Sequence, residues 1–136
     1  KKLNLTIWDT AGQERFESLT PVYFKNSSFV VMVFDFTNLE SFKKLESYLE
    51  MASARAPTAQ LFLLGNKCDL QKPEVSKEMI DEWCSRVNAT FFGVSAKTSE
   101  GIPEFVREIS RLASEKEIGE TMLQINDQKE NGKKCC

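Results

Sequence analysis

The sequence predicts an α/β fold built on a parallel sheet, and two observations support this prediction. Short apolar runs alternate along the chain with segments of helical periodicity, which is the pattern of strands joined by helices. One run, FVVMVFDF at residues 29–36, is almost continuously apolar. Such a run is typical of a parallel strand that helices cover on both faces.

Four strands are expected. In LNLTIW at residues 3–8, the aliphatic side chains alternate with polar residues or tryptophan, and this period of two indicates a half-buried strand. FVVMVFDF is the second strand. LFLL at 61–64 and TFFGV at 90–94 repeat its apolar signal and are expected to be the third and fourth strands.

Three amphipathic helices are expected between and after these strands. The first is predicted to begin with a capping box from Thr37 to Glu40, the second follows Ser76, and the third has Pro103 in its first turn. Each helix is expected to carry one apolar stripe. The stripe of the first helix is Phe42, Leu45, Leu49 and Ala52, and that of the second is Met79, Ile80, Trp83 and Val87. The stripe of the third helix is Ile102, Phe105, Val106, Ile109 and Leu112.

The composition is that of one globular domain: 136 residues, of which 41% are hydrophobic and 28% charged. A net charge of −2 argues against a general nucleic-acid binder, which needs a basic surface. The sequence contains no apolar run long enough for a membrane-spanning helix. The cysteines, Cys68, Cys84, Cys135 and Cys136, suit neither a disulfide framework nor a zinc site, which favours a reducing, cytosolic setting.

Three polar loops follow predicted strands. In parallel sheets ligands bind at the carboxyl ends of the strands, so these loops are expected to share one edge. They are DTAGQ at 9–13, NKCD at 66–69 and SAK at 95–97. Each alone is also explained by an ordinary turn or the start of a helix. Their order, each directly after a strand, favours a nucleotide site.

The same motifs resemble those of a known family. WDTAGQERF, GNKCD and SAK, in this order, resemble the Ras-like small GTPases, and KLNLTIW, RFESLT, VFDFT and the terminal CC resemble the Rab branch. The resemblance extends over nearly the whole chain from Lys2. One departure is YFKNS at 23–27, where Rabs usually carry YYRGA. The resemblance implies a GTP hydrolase that acts with Mg²⁺ as a GTP/GDP-dependent switch in vesicle-mediated transport.

The resemblance assigns guanine binding to the second and third loops. Asp69 would accept both adjacent N–H groups of guanine, which adenine cannot offer. Asn66 would brace the loop, and Lys67 would lay its alkyl stem along the base. In the SAK loop, which starts at Ser95, the Ala96 N–H would meet the guanine O6 and Lys97 would pack over the base.

The first loop is assigned to the phosphates and to hydrolysis. Asp9 would hold Mg²⁺ through water, and the Gly12 N–H would approach the γ-phosphate. Gln13 would be the catalytic residue that orients the hydrolytic water. Residues 11–20 would be a switch that γ-phosphate contact orders.

An effector surface is implied at three aromatic residues, Trp8, Phe16 and Tyr23. For Trp8 and Tyr23 an ordinary place beside the core is equally open, because exposure decides between the two. Asp35, near the end of the second strand, is expected to shape the turn before the next helix rather than to bind metal. Cys68 is expected to face inward as a small hydrophobic residue.

The chain is expected to divide at residue 117. Residues 1–117 would be the C-terminal part of a small GTPase domain and 118–136 a flexible hypervariable tail, since the latter is polar without sustained periodicity. The terminal Cys135 and Cys136 resemble a double geranylgeranylation site, which would attach the protein to the cytoplasmic face of intracellular membranes. A pair of unmodified thiols is the alternative.

Further partners follow from the resemblance. Leu123 and Ile125 flank Gln124 in a pattern that resembles the tail motif bound by Rab escort proteins and dissociation inhibitors. An exchange factor, an activating protein and effectors are implied as well. No nucleic-acid partner is expected.

A phosphate loop of the form GxxxxGK[ST] does not occur in the sequence, because no two of its glycines are five positions apart. The resemblance therefore implies an incomplete P-loop GTPase fold that lacks the first two strands and first helix. In that fold the missing first strand lies between LNLTIW and FVVMVFDF, so a gap of roughly 9.6 Å is expected there. A lipidated remnant that binds escort or effector proteins without nucleotide is the alternative function.

Overall fold

The protein's fold is an α/β sheet, seen in a computed structural model that describes residues 3–10, 24–115 and 120–126. Its strands are β1 (Asn4–Thr10), β2 (Phe29–Asp35), β3 (Gln60–Asn66), β4 (Thr90–Gly93) and β5 (Glu120–Asn126). Within the described residues they form one sheet in the order β1-β5-β2-β3-β4, and every neighbouring pair is parallel. The predicted parallel α/β sheet is confirmed.

The helices lie where periodicity predicts them, but the first is divided. They are α1 (Leu39–Lys43), α2 (Leu45–Arg55), α3 (Lys77–Val87) and α4 (Ile102–Glu115). The capping residue of α1 is Asn38, whose Oδ1 accepts from the Ser41 N–H at 3.1 Å. The predicted capping box from Thr37 is wrong, because the helix begins one residue later with Asn38 as its cap, while Thr37 belongs to the preceding turn and donates its N–H and hydroxyl to Asp35.

Strand β2 lies at the centre of two apolar cores. Val30, Met32 and Phe34 pack on the face that α1, α2 and α3 cover. Phe29 and Val31 pack on the opposite face, against α4. All five side chains are at most 1% exposed. Helices thus cover both faces of this strand, as its continuous apolar sequence predicts.

Strand β5 corrects the expectation of a flexible tail over residues 120–126. It pairs with β1 over Asn4–Thr10 and with β2 over Phe29–Met32. The expected gap between those strands is therefore filled. Unpaired N–H and C=O groups of two facing strands are costly, and one inserted strand pairs with both. The proposed boundary at residue 117 and the tail beyond residue 126 lie outside the described residues.

The pairing of β5 is tested by Leu123→Pro. Leu123 is in register with Ile7 of β1 and Phe29 of β2, and proline removes a backbone donor from the ladder. We expect the free energy of unfolding to fall by about 1–3 kcal/mol. Hydrogen exchange of the β1 amides should also become faster. Leu123→Ala, which keeps the backbone N–H, is the control, and equal β1 protection in Leu123→Pro, Leu123→Ala and the unmodified chain would contradict the pairing.

Candidate functional site

The carboxyl ends of β2, β3 and β4 bring three loops to one edge of the sheet. Asp35, the last residue of β2, is in register with Asn66, the last residue of β3. Gly65 is likewise in register with Gly93, where β4 ends. The loops that leave these strands, including NKCD and SAK, are therefore neighbours.

The side chain of Asn66 joins the NKCD and SAK loops. Its Oδ1 accepts from the backbone N–H of Lys67 at 2.8 Å and from that of Ala96 at 3.0 Å. A second link runs from the Cys68 N–H to the Val94 carbonyl at 3.0 Å. A single amide oxygen thus satisfies one donor from each loop. The Ala96 N–H, which the resemblance assigns to guanine O6, donates to Asn66 here.

Asp69 lies half-buried in the same loop. The Leu70 N–H donates to the Lys67 carbonyl at 3.0 Å, which closes the turn that presents Asp69. Within the described part of the chain, the Asp69 carboxylate makes no side-chain hydrogen bond or ion pair. A carboxylate in this state retains its acceptor capacity for a ligand.

Cys68 is a half-buried thiol between Lys67 and Asp69. Burial raises its pKa, and the negative charges of Glu100 and Asp69 raise it further. The thiol is therefore protonated and poorly nucleophilic at neutral pH. This agrees with the expectation that Cys68 acts as a small hydrophobic residue.

The SAK loop is held by a tight turn before α4. Ser95 is fully buried, and its Oγ accepts from the Thr98 N–H at 3.1 Å. Gly101 has φ +73°, and a Cβ there would lie 2.1 Å from the Gly93 carbonyl oxygen, so only glycine fits. Ala96 and Lys97 remain exposed at the tip of the loop.

Asp35 forms the turn that precedes α1, as predicted. Its Oδ1 accepts from the Thr37 N–H at 2.8 Å and the Thr37 hydroxyl at 2.7 Å. Its Oδ2 lies 2.5 Å from the Lys67 Nζ. Burial acts to raise the pKa of the Asp35 carboxyl, but the hydrogen bonds from Lys67 and Thr37 outweigh it and lower the pKa.

The ion pair between Asp35 and Lys67 is the contact that sequence reasoning missed. The two residues are 32 positions apart in the chain, and only the register of β2 with β3 brings them together. An acidic residue at the end of a strand, beside a loop that carries a lysine, is the signal that could have suggested the pair.

Asp9 stands apart from this group. It lies near the end of β1, exposed, and β5 separates β1 from β2. Trp8, beside it, is 39% exposed, so it is not a core residue. The other expected site residues lie outside the described residues: Gly12, Gln13, Phe16, Tyr23, Cys135 and Cys136.

The link through Asn66 is tested by comparing Asn66→Ala with Asn66→Asp. Alanine removes the oxygen that accepts from the Lys67 and Ala96 amides, whereas aspartate keeps an acceptor. We expect Asn66→Ala to lower the free energy of unfolding by about 1–3 kcal/mol. Hydrogen exchange at Ala96 should become faster in that variant and stay slow in Asn66→Asp. Unchanged exchange in Asn66→Ala would show that the loops are held by other contacts.

Comparison with known proteins identifies the family. The family model described as "Ras family" matches residues 1–115. Ras-related protein SEC4 of Candida albicans is 36% identical over 124 residues, which are 90% of this chain and 59% of that protein. Rab-13 of Bos taurus is 35% identical over 82% of this chain and 56% of its own length. Putative Rab-5B of Dictyostelium discoideum is 40% identical over 80% and 52%, respectively.

The chain spans little more than half the length of these relatives. Its match to the family model nevertheless covers most of the described residues, including β1 to β4 and all four helices. The chain therefore belongs to the Ras family, with a partial Ras-like α/β fold, and is a Rab-type small GTPase chain.

Proposed function

We propose that the edge formed by the NKCD and SAK loops binds the guanine base of GDP or GTP. The observation that carries this proposal is the half-buried Asp69 carboxylate, which is unpaired within the described residues and lies in a loop that Asn66 holds against SAK. Guanine presents two adjacent N–H donors, and a fixed carboxylate accepts both. Adenine lacks that pair, so Asp69 sets the choice of base.

The neighbouring groups complete the base site. The Lys67 stem would lie beside the base, and Lys97, which is exposed, would pack over it from the other loop. Buried Ser95 fixes the loop that carries both Ala96 and Lys97. The Ala96 N–H donates to Asn66 here, so binding of guanine O6 requires this donor to be shared or redirected.

In the intact parent protein, we propose that the DTAGQ loop supports GTP hydrolysis. Mg²⁺ typically binds one or two carboxylates together with substrate phosphates. Asp9 is such a carboxylate, and it is exposed near the end of β1, so it fits this mode. Asp9 would hold the ion through water, Gly12 would approach the γ-phosphate, and Gln13 would orient the attacking water.

The cellular role that follows is a GTP/GDP-dependent switch in vesicle-mediated transport. No helix in the described ranges is long and apolar enough to cross a membrane. Attachment to the cytoplasmic face of intracellular membranes would come from prenyl groups on Cys135 and Cys136, because two lipid chains are needed for stable anchoring. An escort protein, a dissociation inhibitor, an exchange factor and an activating protein are the expected partners, and exposed Trp8 is the proposed effector contact.

A second function is favoured by strand β5. It completes the sheet between β1 and β2, while the sequence carries no GxxxxGK[ST] motif to hold phosphates. The chain as it stands would then be a lipidated module that binds escort or effector proteins without nucleotide. Without a phosphate loop, this chain is not expected to hydrolyse GTP by itself.

Nucleoside titration of the full 136-residue chain tests the base site. We expect guanosine to bind more tightly than adenosine. Guanosine nucleotides, with or without Mg²⁺, should bind no more tightly than guanosine itself. Asp69→Asn should lower the affinity for guanosine at least about tenfold, because two hydrogen bonds to a charged acceptor are lost. The same change should raise the affinity for xanthosine.

The matched control is Asp81→Asn, which makes the same charge change on the exposed surface of α3. Equal affinity for guanosine and adenosine in the unmodified chain would reject the base site and leave the second function. Tight, Mg²⁺-dependent GTP binding would instead show that the chain holds phosphates without the motif.

Prenylation in a cell extract tests the terminal cysteines. We expect the chain to gain the mass of two geranylgeranyl groups and to bind lipid vesicles. Cys135→Ser or Cys136→Ser alone should leave one group and weaker binding, since a single chain anchors marginally. Cys84→Ser, at a half-buried thiol in α3, is the control. Modification that persists when both terminal cysteines are replaced would contradict the assignment.

A further inference from the structure

The Asp35 carboxylate is a fixed anchor at the edge of the sheet. Two donors from Thr37 hold Oδ1, and the Asp35 N–H donates to the Ser41 hydroxyl at 2.9 Å. The side chain is only 15% exposed. Its own turn therefore sets the position of Oδ2 independently of any ligand.

Lys67 is the movable partner in this pair. Its side chain is 43% exposed, and its ammonium crosses from the end of β3 to the end of β2 to reach Oδ2 at 2.5 Å. The Lys67 backbone has φ 64°, a left-handed conformation that is unfavourable for a residue with a side chain. The Asn66 side chain stabilises it by accepting from the Lys67 N–H.

The backbone and the ammonium of Lys67 are thus each held by a neighbouring residue, which limits the conformations open to the methylene stem between them. A free lysine would lose rotamer freedom when a base packs against it, and a stem that is already held loses less. The flat faces of any purine can use such a surface, whereas only the Asp69 carboxylate distinguishes guanine.

We propose that Asp35 is a positioning residue for base binding: it holds the Lys67 ammonium so that the lysine stem forms a preorganised platform for the purine ring. This inference rests on the proposed function and adds to it a residue from the loop after β2. Asp35 contributes affinity for purines in general, and Asp69 contributes the choice among them.

A double-mutant cycle on the full chain tests the proposal, with guanosine and adenosine as probes. Asp35→Asn keeps an oxygen acceptor for Thr37 but loses the charge that holds Lys67. Lys67→Met keeps an unbranched stem without the ammonium. We expect Asp35→Asn to lower the affinities for guanosine and adenosine about three- to tenfold. The ratio of the two affinities should stay unchanged. In the Lys67→Met background the same change should have no further effect.

Hydrogen exchange at Ala96 distinguishes positioning from general damage to the loops. If Asp35→Asn leaves Ala96 protected and weakens binding only when Lys67 is present, the positioning role is supported. Equal binding by Asp35→Asn and the unmodified chain would overturn it. An equal effect of Asp35→Asn in the unmodified chain and in the Lys67→Met background, which lacks the ammonium, would overturn it as well. Failure of the unmodified chain to prefer guanosine would reject the proposed function first, and this inference with it.

Discussion

The pairing of β2 with β3 is the contact on which the candidate site depends. Seven residues of each strand are in register, from Phe29 opposite Gln60 to Asp35 opposite Asn66. Both strands are buried between helices, so a shift by one residue would turn apolar side chains away from their cores. The core therefore fixes the register, and the register places the two polar strand ends side by side.

From that position, two side chains connect three loops: Asn66 binds the backbone of the SAK loop, and Asp35 binds the ammonium of Lys67. Loops usually vary in conformation, but these loops are tied to the ends of a rigid sheet.

Sequence predicted the features that depend on local patterns. The continuous apolar run at 29–36 predicted β2, and the stripe that contains Phe105 and Ile109 predicted α4. Features that depend on competition between neighbours were not predictable in this way. Thr37 and Asn38 are both good capping residues, and Asn38 caps α1 because the bonds from Thr37 to Asp35 hold Thr37 in the turn that precedes the helix.

Features that depend on distant pairing were missed for a different reason. Residues 120–126 carry no sustained periodicity, and their strand β5 arises only because β1 and β2 present unpaired backbone on both sides. The contact between Asp35 and Lys67 likewise follows from strand register rather than from either local sequence. The NKCD and SAK motifs and the turn at Asp35 were recognised from the sequence. The ion pair of Asp35 with Lys67 was not, because it forms only when β2 pairs with β3.

The sheet order also separates two parts of the proposed chemistry. The base-binding loops follow β3 and β4, and Asp35 ends β2; β3 pairs directly with both β2 and β4. Asp9 lies at the end of β1, which in this structure reaches β2 only through β5. The proposed base site therefore lies at the ends of β3, which is largely buried, and of the edge strand β4. The proposed phosphate side, at Asp9, is connected to β2 only through β5. The Asn66 side chain, by contrast, accepts from the Lys67 and Ala96 N–H groups, so it joins the loops after β3 and β4 directly, without passing through β1 or β5.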